Sequence, residues 1–397
     1  MSPKKNPPSP GPVATGLSVF LALHAGEYRN KAIGLLANQA SVGPGYRHAL
    51  ELLDEKMPGA IKKVFSPQHG FAGEKQDNMI ESGHSRLPDG RPVHSLYADK
   101  RKPDPQSLSG LDVFMVDLQD VGTRVYTFAH TVNLALEACA EAGLEVLVLD
   151  RPNPIGGLGI EGNLLDPDCR SFVGLQPVPM RHSLTMAELA IFANSRLPKP
   201  ARLTVIPMAG WDRGMYFPQT GLNWVMPSPN LPDPATAWLY PGAVVWEGTN
   251  VSEGRGTTRP FHLFGAPYVD SATLAADLKA LNLPDLAFRQ ASFQPTFNKW
   301  AERTCHGLEL YPLGPAFKPY LTALSILQII LRRWPGDFKL KDPPYEYEFE
   351  TRPIDLILGR LGLFDALASG IPAKDLCDSF APELKAFARE IKTVRIY

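Results

Sequence analysis

The chain has 397 residues, of which 44% are hydrophobic and 20% charged, with a formal net charge of −1. That is enough chain to bury a large core, the charge gives no basic footprint for nucleic acid or an anionic membrane, and no apolar run reaches the roughly 18 residues of a membrane span. The 39 prolines, about twice an ordinary usage of roughly 5%, are spread along the chain and mark many rigid loops.

Residues 1–14 read as a disordered tail and 16–25 as a helix. Residues 31–37 read as a strand with Asn38 and Gln39 at its polar end, 46–56 as a helix and 60–65 as a second strand. That strand runs into the polar Gly/Pro loop Ser66-Pro-Gln-His-Gly-Phe-Ala-Gly-Glu74. Residues 75–109 look irregular. Residues 111–116 form a strand ending in Asp117-Leu-Gln-Asp120. The spacing of Phe128, Val132, Leu136 and Cys139 predicts a helix over 127–142, and residues 145–149 a strand ending in Asp150-Arg-Pro-Asn-Pro154. Alternating strands and helices of this kind predict an α/β fold with a doubly wound, largely parallel sheet. Each strand ends in a loop rich in Asn, Gln, Asp, His or Arg, as expected if the C-terminal edge of the sheet carries a polar ligand.

Further on, 185–195 read as a helix and 202–206 as a strand. The apolar run Ala243-Val-Val-Trp246 reads as a short buried strand. From it leaves Glu247-Gly-Thr-Asn-Val-Ser-Glu-Gly-Arg-Gly-Thr-Thr-Arg-Pro260, which gathers carboxylates, guanidiniums, an amide and hydroxyls around flexible glycines. Ser271 reads as the N-cap of a helix through Leu281. After about residue 284 the character changes. Strands are expected at 288–297 and 307–311, an apolar helix at 319–333, a half-exposed strand at 345–350 from its aromatic–acidic alternation, and helices at 353–361 and 377–393. The expected division is an α/β domain over 15–284 and a smaller α+β domain over 285–397.

Cys139, Cys169, Cys305 and Cys377 stand far apart without CxxC spacing, which argues against a zinc site or a dense disulfide framework. Free thiols in a reducing compartment are expected. No apolar segment directly follows Lys4 and Lys5, so a cytoplasmic location is expected. Gly157-Leu-Gly-Ile-Glu-Gly162 matches GxGxxG but does not open a helix, as a dinucleotide fingerprint must. His69, His84 and His94 lie in loops, but nothing in their spacing requires a metal. The carboxylates Glu74, Asp77, Glu81, Asp117, Asp120, Asp150, Glu247 and Glu253 crowd the strand-end loops. Such groups suit glycoside hydrolysis, where one carboxyl protonates the leaving oxygen and another stabilises or attacks the anomeric carbon or activates water. Structural salt bridging is the ordinary alternative for each of them.

Phe65-Ser-Pro-Gln-His-Gly-Phe71, Asp117-Leu-Gln-Asp-Val-Gly-Thr-Arg-Val-Tyr126, Leu149-Asp-Arg-Pro-Asn-Pro154, Thr220-Gly-Leu-Asn-Trp224, Pro227-Ser-Pro-Asn230 and the Glu247–Pro260 stretch together resemble a bacterial family long catalogued only as a domain of unknown function. Its characterised members are exo-β-N-acetylmuramidases acting on peptidoglycan fragments. The resemblance covers nearly the whole chain from Gly34 onward. It implies a Rossmann-like domain, a smaller C-terminal domain with the active cleft between them, and release of a terminal non-reducing MurNAc. The family motif usually reads Phe-Ser-Pro-Glu-His-Gly, with that Glu a candidate catalytic residue. Here the position is Gln68, whose amide cannot ionise.

On this reading Glu81 or Glu74 takes the acid/base role and Glu247 or Glu253 is the partner carboxylate. Gln68, His69, Asp117, Gln119, Arg124, Tyr126, Arg151, Asn153, Asn223, Asn230, Asn250 and Arg255 are the candidates for gripping the sugar. Guanidinium is the natural partner of the lactyl carboxylate. The implied partner is a small MurNAc-containing carbohydrate, with no cofactor, metal, nucleic acid or membrane. Two alternatives stay open: a non-catalytic binder of a sugar or anionic metabolite, and a nucleotide-dependent enzyme using the doubly wound half.

Overall fold

A computed structural model describes residues 12–77, 79–98 and 100–397. Twelve strands lie along these residues: β1 Ile33–Ala37, β2 Ile61–Ser66, β3 Ser85–Arg86, β4 Pro92–Ser95, β5 Val113–Asp117, β6 Glu145–Leu149, β7 Glu161–Leu164, β8 Pro179–Arg181, β9 Arg202–Ile206, β10 Leu263–Ala266, β11 Leu286–Phe293 and β12 Cys305–Pro312. Seven of them form the main sheet in the order β3-β4-β2-β1-β5-β6-β9. All its pairings are parallel except that of β3 with β4 at one edge.

The central strands are apolar on both faces because both faces are covered. Alternate residues point to opposite sides. Leu35, Val64, Met115 and Leu147 pack against Leu17, Phe20 and Leu53 of the helices Gly16–Leu23 and Ala49–Lys56. Leu36, Phe65, Phe114, Val116 and Val148 pack against Val132, Leu136 and Cys139 of helix Phe128–Ala142. The chain winds outward from β1 through β2 to β4, then returns to β5 and winds the other way through β6 to β9. The switch point therefore falls between β1 and β5, where an open α/β sheet offers its crevice.

The smaller C-terminal part is built on the antiparallel sheet β10-β12-β11 and the buried helix Pro319–Arg333. Its first strand, β10, precedes position 285, so one sheet draws on both sides of the expected division. No helix among the described residues is long and apolar enough to cross a membrane.

Several local expectations are corrected. Of the expected tail, residues 1–11 lie outside the described residues, but Val13 is buried and donates to the Thr220 carbonyl at 2.8 Å, and Ala14 pairs with Ala209. Ala243–Trp246 is not a strand. Helix Pro234–Ala243, capped by Asp233, runs straight into the 3₁₀ turn Val244–Gly248. An apolar run buried on every side looks the same in either conformation. Helix Ser271–Ala280 is capped by Asp270, not Ser271: the Asp270 side chain accepts from the Thr273 amide. Residues 345–350 form a tight turn instead of a strand, with Tyr345 and Glu348 exchanging backbone hydrogen bonds at 2.9 Å and Glu346 and Tyr347 at φ of 47° and 68°.

Candidate active site

The site starts where β2 ends. Pro67 stops the strand, and His69 and Gly70 take left-handed backbone conformations at φ of 74° and 88°. A side chain on Gly70 would meet the Glu74 carboxylate at 2.9 Å. The turn projects Gln68 and His69, both buried, under the C-terminal part of the chain. A second wall is the 3₁₀ turn Val244–Gly248, which presents Glu247. Trp246 stacks on Phe264 at 5.2 Å between ring centroids. A Cβ on Gly248 would lie 2.8 Å from the Ile354 backbone, so the turn is seated tightly. The third wall is the turn carrying Tyr345 and Glu346. Gln68, His69, Tyr126, Asn230, Glu247, Arg255, Tyr345 and Glu346 thus line one narrow polar cleft. Its free volume of about 30 Å³ suits a water molecule or two rather than a sugar ring.

Hydrogen bonds organise the cleft around Glu346. Gln68 Nε2 donates to Glu346 Oε1 at 3.1 Å, and the Thr127 hydroxyl donates to Gln68 Oε1 at 2.5 Å. The Tyr97 hydroxyl donates to Glu346 Oε2 at 2.6 Å and accepts from the Met79 amide at 3.1 Å. Burial raises the Glu346 carboxyl above the usual Glu range; the Tyr97 and Gln68 donors oppose that rise and nearby Glu247 adds to it. Residue 346 also holds a positive φ that a non-glycine residue adopts only under the constraint of its surroundings.

Glu247 accepts from the Tyr345 hydroxyl at 2.7 Å and pairs with Arg255 at 2.9 Å. Arg255 also reaches Glu253 at 3.2 Å, and Lys299 closes the cluster on Glu253 at 2.8 Å. Burial pushes the Glu253 carboxyl up, but Lys299 and Arg255 outweigh it and hold the group below the usual range. Burial drives His69 down to about 4, so it is neutral at physiological pH, with Nδ1 2.7 Å from the Lys75 carbonyl.

The expected site residues divide. Gln68, His69, Tyr126, Asn230, Glu247 and Arg255 come together in the cleft. Glu253 lies buried behind them. Glu81 is exposed at the rim, where its Oε1 accepts from the Tyr347 hydroxyl at 3.2 Å. Glu74 is exposed over Gly70.

The others serve elsewhere. Arg124 is buried and donates to the carbonyls of Asn163, Val178, Ile357 and Leu358 at 2.7–3.2 Å, a clamp between the two parts of the chain. Asp117 is occupied by Arg151. Asn153 bonds the Leu184 carbonyl and the Ile155 amide. Asn250 bonds the Asp337 carbonyl, the Tyr268 hydroxyl and the Lys339 amide. Gln119, Arg151 and Asn223 line a different, mostly apolar pocket beside Phe217 and Trp224.

Sequence reasoning missed Glu346, Tyr97, Thr127 and Tyr345. Pro343-Pro344, directly before Tyr345, was the available signal for a turn in place of a strand.

Fold and cleft define a two-part α/β protein whose site is made jointly by the C-terminal edge of a doubly wound sheet and the smaller domain packed over it. The chain belongs to the exo-β-N-acetylmuramidase family. The family's N-terminal profile, described as exo-beta-N-acetylmuramidase NamZ, N-terminal, matches residues 33–235, and its C-terminal counterpart matches residues 238–397. The chain is 38% identical over 386 residues to the peptidoglycan beta-N-acetylmuramidase NamZ of Bacillus subtilis (strain 168), covering 97% of this chain and 91% of that protein. Two crystal structures of DUF1343 family proteins from Bacteroides fragilis NCTC 9343 share the fold. One has a TM-score of 0.87 at 30% identity, covering 97% of this chain and 99% of the other. The second has a TM-score of 0.76 at 27% identity, covering 98% and 99%.

Proposed function

We propose that this chain is a glycosidase that releases a terminal MurNAc from peptidoglycan-derived fragments, in the cleft walled by Gln68, Glu247 and Glu346. Family membership supports the reaction class. The observation that carries the site is the meeting of two carboxyl groups, Glu247 and Glu346, on one polar cleft, because hydrolysis of a glycosidic bond usually requires such a pair.

Glu247, which accepts from the Tyr345 hydroxyl at Oε2 and is ion-paired with Arg255 through Oε1, faces the anomeric carbon as positive charge develops there. Arg255 is already paired with two carboxylates, so it acts first by fixing Glu247. Asn230, whose Nδ2 donates to the Gln76 carbonyl at 2.9 Å, and neutral His69 supply polar contacts to the sugar. The sugar ring is admitted when the turn at 345–347 moves away from the 68–82 loop, since the closed cleft is too small for it. The cysteines are all free, three of them buried, which supports work in a reducing, cytoplasmic setting.

The test is incubation of the purified chain with the disaccharide MurNAc–GlcNAc, followed by chromatography of the products. Free MurNAc is the expected result. Stabilisation of the chain by MurNAc with no product formed supports a sugar-binding protein instead, and no effect of either kind sinks both readings.

A further inference from the structure

Position 68 carries an amide at the end of β2, and it touches Glu346. An amide N–H can pair only with an acceptor, so the contact of 3.1 Å between Gln68 Nε2 and Glu346 Oε1 leaves Glu346 as the one titrating member of that pair. The Glu346 acceptor turns Nε2 toward itself, and the Thr127 hydroxyl then donates to Gln68 Oε1 on the other side of the amide. Tyr97 holds the other oxygen. Glu346 is thus buried, oriented by donors on two sides, and set on a left-handed backbone position. Glu247 lines the same cleft and is fixed separately by Tyr345 and Arg255. The two carboxyls thus share one cleft in different surroundings, Glu346 between two neutral donors and Glu247 against a guanidinium, an arrangement that suits them to different roles.

We infer that Glu346 is the general acid of this cleft, and that Gln68 and Tyr97 are its positioning residues. The inference rests on the glycosidase reading above. As the bond between the MurNAc anomeric carbon and the bridging oxygen breaks, its electron pair passes to that oxygen, which takes the proton of Glu346 and leaves as the hydroxyl of GlcNAc. Glu247 faces the positive charge left on the anomeric carbon. A water oxygen then completes the hemiacetal, and the water's proton returns to Glu346.

A general acid matters in proportion to how poor the leaving group is, and this separates catalysis from support of the fold. The experiment compares the unmodified chain with Glu346→Gln on two substrates, MurNAc–GlcNAc and 4-nitrophenyl β-MurNAc, whose phenolate leaves without a proton. The expected loss in kcat on the disaccharide is about 10²- to 10⁴-fold, the usual contribution of a general acid. On the nitrophenyl glycoside the loss is far smaller, KM is little changed, and the alkaline limb of the pH profile disappears. Equal losses on both substrates, or no loss, overturn the assignment.

If Glu346→Gln fails to fold, Tyr97→Phe replaces it. Removing a donor to the charged form shifts the alkaline limb of kcat to higher pH, and an unmoved limb overturns the assignment. Turnover of neither substrate by the unmodified chain overturns the reaction itself and this role with it, an outcome distinct from a working enzyme indifferent to Glu346.

Discussion

Arg151 grips Asp117 through two parallel hydrogen bonds, Nε to Oδ1 at 2.6 Å and Nη2 to Oδ2 at 2.8 Å, and its Nη2 also donates to the Val42 carbonyl at 3.0 Å. The contact ties together the ends of β6, β5 and β1 beside the switch point. Asp117 is fully buried and the Arg151 side chain is only 6% exposed, so neither charge can fall back on water. A forked guanidinium fits a carboxylate in a way an ammonium does not.

Arg151→Ala leaves Asp117 buried and unpaired, and destabilises the chain by about 3–5 kcal/mol. Removing both partners costs much less than the sum of the two single changes, because no orphan charge remains. Denaturant unfolding of Arg151→Ala, Asp117→Ala and the double variant checks this, and strictly additive losses would count against the pair.

Asp150 gives a pH signature. Burial raises its carboxyl to about 7, against bonds from the Ala187 amide and the Tyr397 hydroxyl. A carboxyl raised in the folded state adds stability that is full below its ordinary value of 3.8 and lost as pH rises through about 7. The stability of the unmodified chain relative to Asp150→Asn should therefore fall between about pH 4 and pH 7 and stay flat above. Paired melts across that range measure it. A flat difference would mean that Asp150 titrates normally.

Gln68→Glu sets a second carboxyl against Glu346 at hydrogen-bond distance. Two such groups cannot both ionise at low cost, so one becomes strongly harder to deprotonate. The alkaline limb of kcat is expected to move up by at least about one pH unit. Because the raised value belongs to the folded state, the variant should also lose stability relative to the unmodified chain as pH rises. A pH–rate profile with parallel melts tests both.

The rim and the floor of the cleft should respond differently. Glu74→Gln and Glu81→Gln alter exposed carboxylates and are expected to change kcat/KM less than about threefold. Glu247→Gln removes a carboxylate fixed by Arg255 and Tyr345 and is expected to lose about 10²-fold or more, in the range of a lost charge-stabilising group. Steady-state kinetics on MurNAc–GlcNAc decide it; a large loss at Glu81 would move the chemistry to the rim.

The doubly wound sheet was legible because its central strands are short apolar runs that end in polar residues. β6 and β9 have the bounds the sequence suggests, and β1, β2 and β5 differ by a residue or two at their ends. Of the residues that line the cleft, Gln68, Glu247 and Arg255 stood out in the sequence because they sit in or beside polar, glycine-rich stretches. Glu346 was not, because Tyr345-Glu-Tyr-Glu-Phe-Glu350 has the period of a strand and only tertiary contacts with Tyr97, Gln68 and Glu247 fold it into a turn. Arg124 and Asn250 misled in the opposite direction. Both are strongly polar residues in motif loops, but groups distant in sequence, mostly backbone and for Asn250 also the Tyr268 hydroxyl, take up their hydrogen-bonding capacity, and sequence spacing cannot show that.

The Arg124 clamp also bears on how the cleft can open. Its guanidinium binds carbonyls at 163 and 178 on one side and at 357 and 358 on the other, and is walled in where water cannot compete. Prising the two parts of the chain apart as jaws would break the guanidinium's bonds to one of these two pairs of carbonyls. A local peel of the Tyr345–Tyr347 turn, by contrast, would leave those four bonds in place and confine the motion to a few residues directly above the cleft.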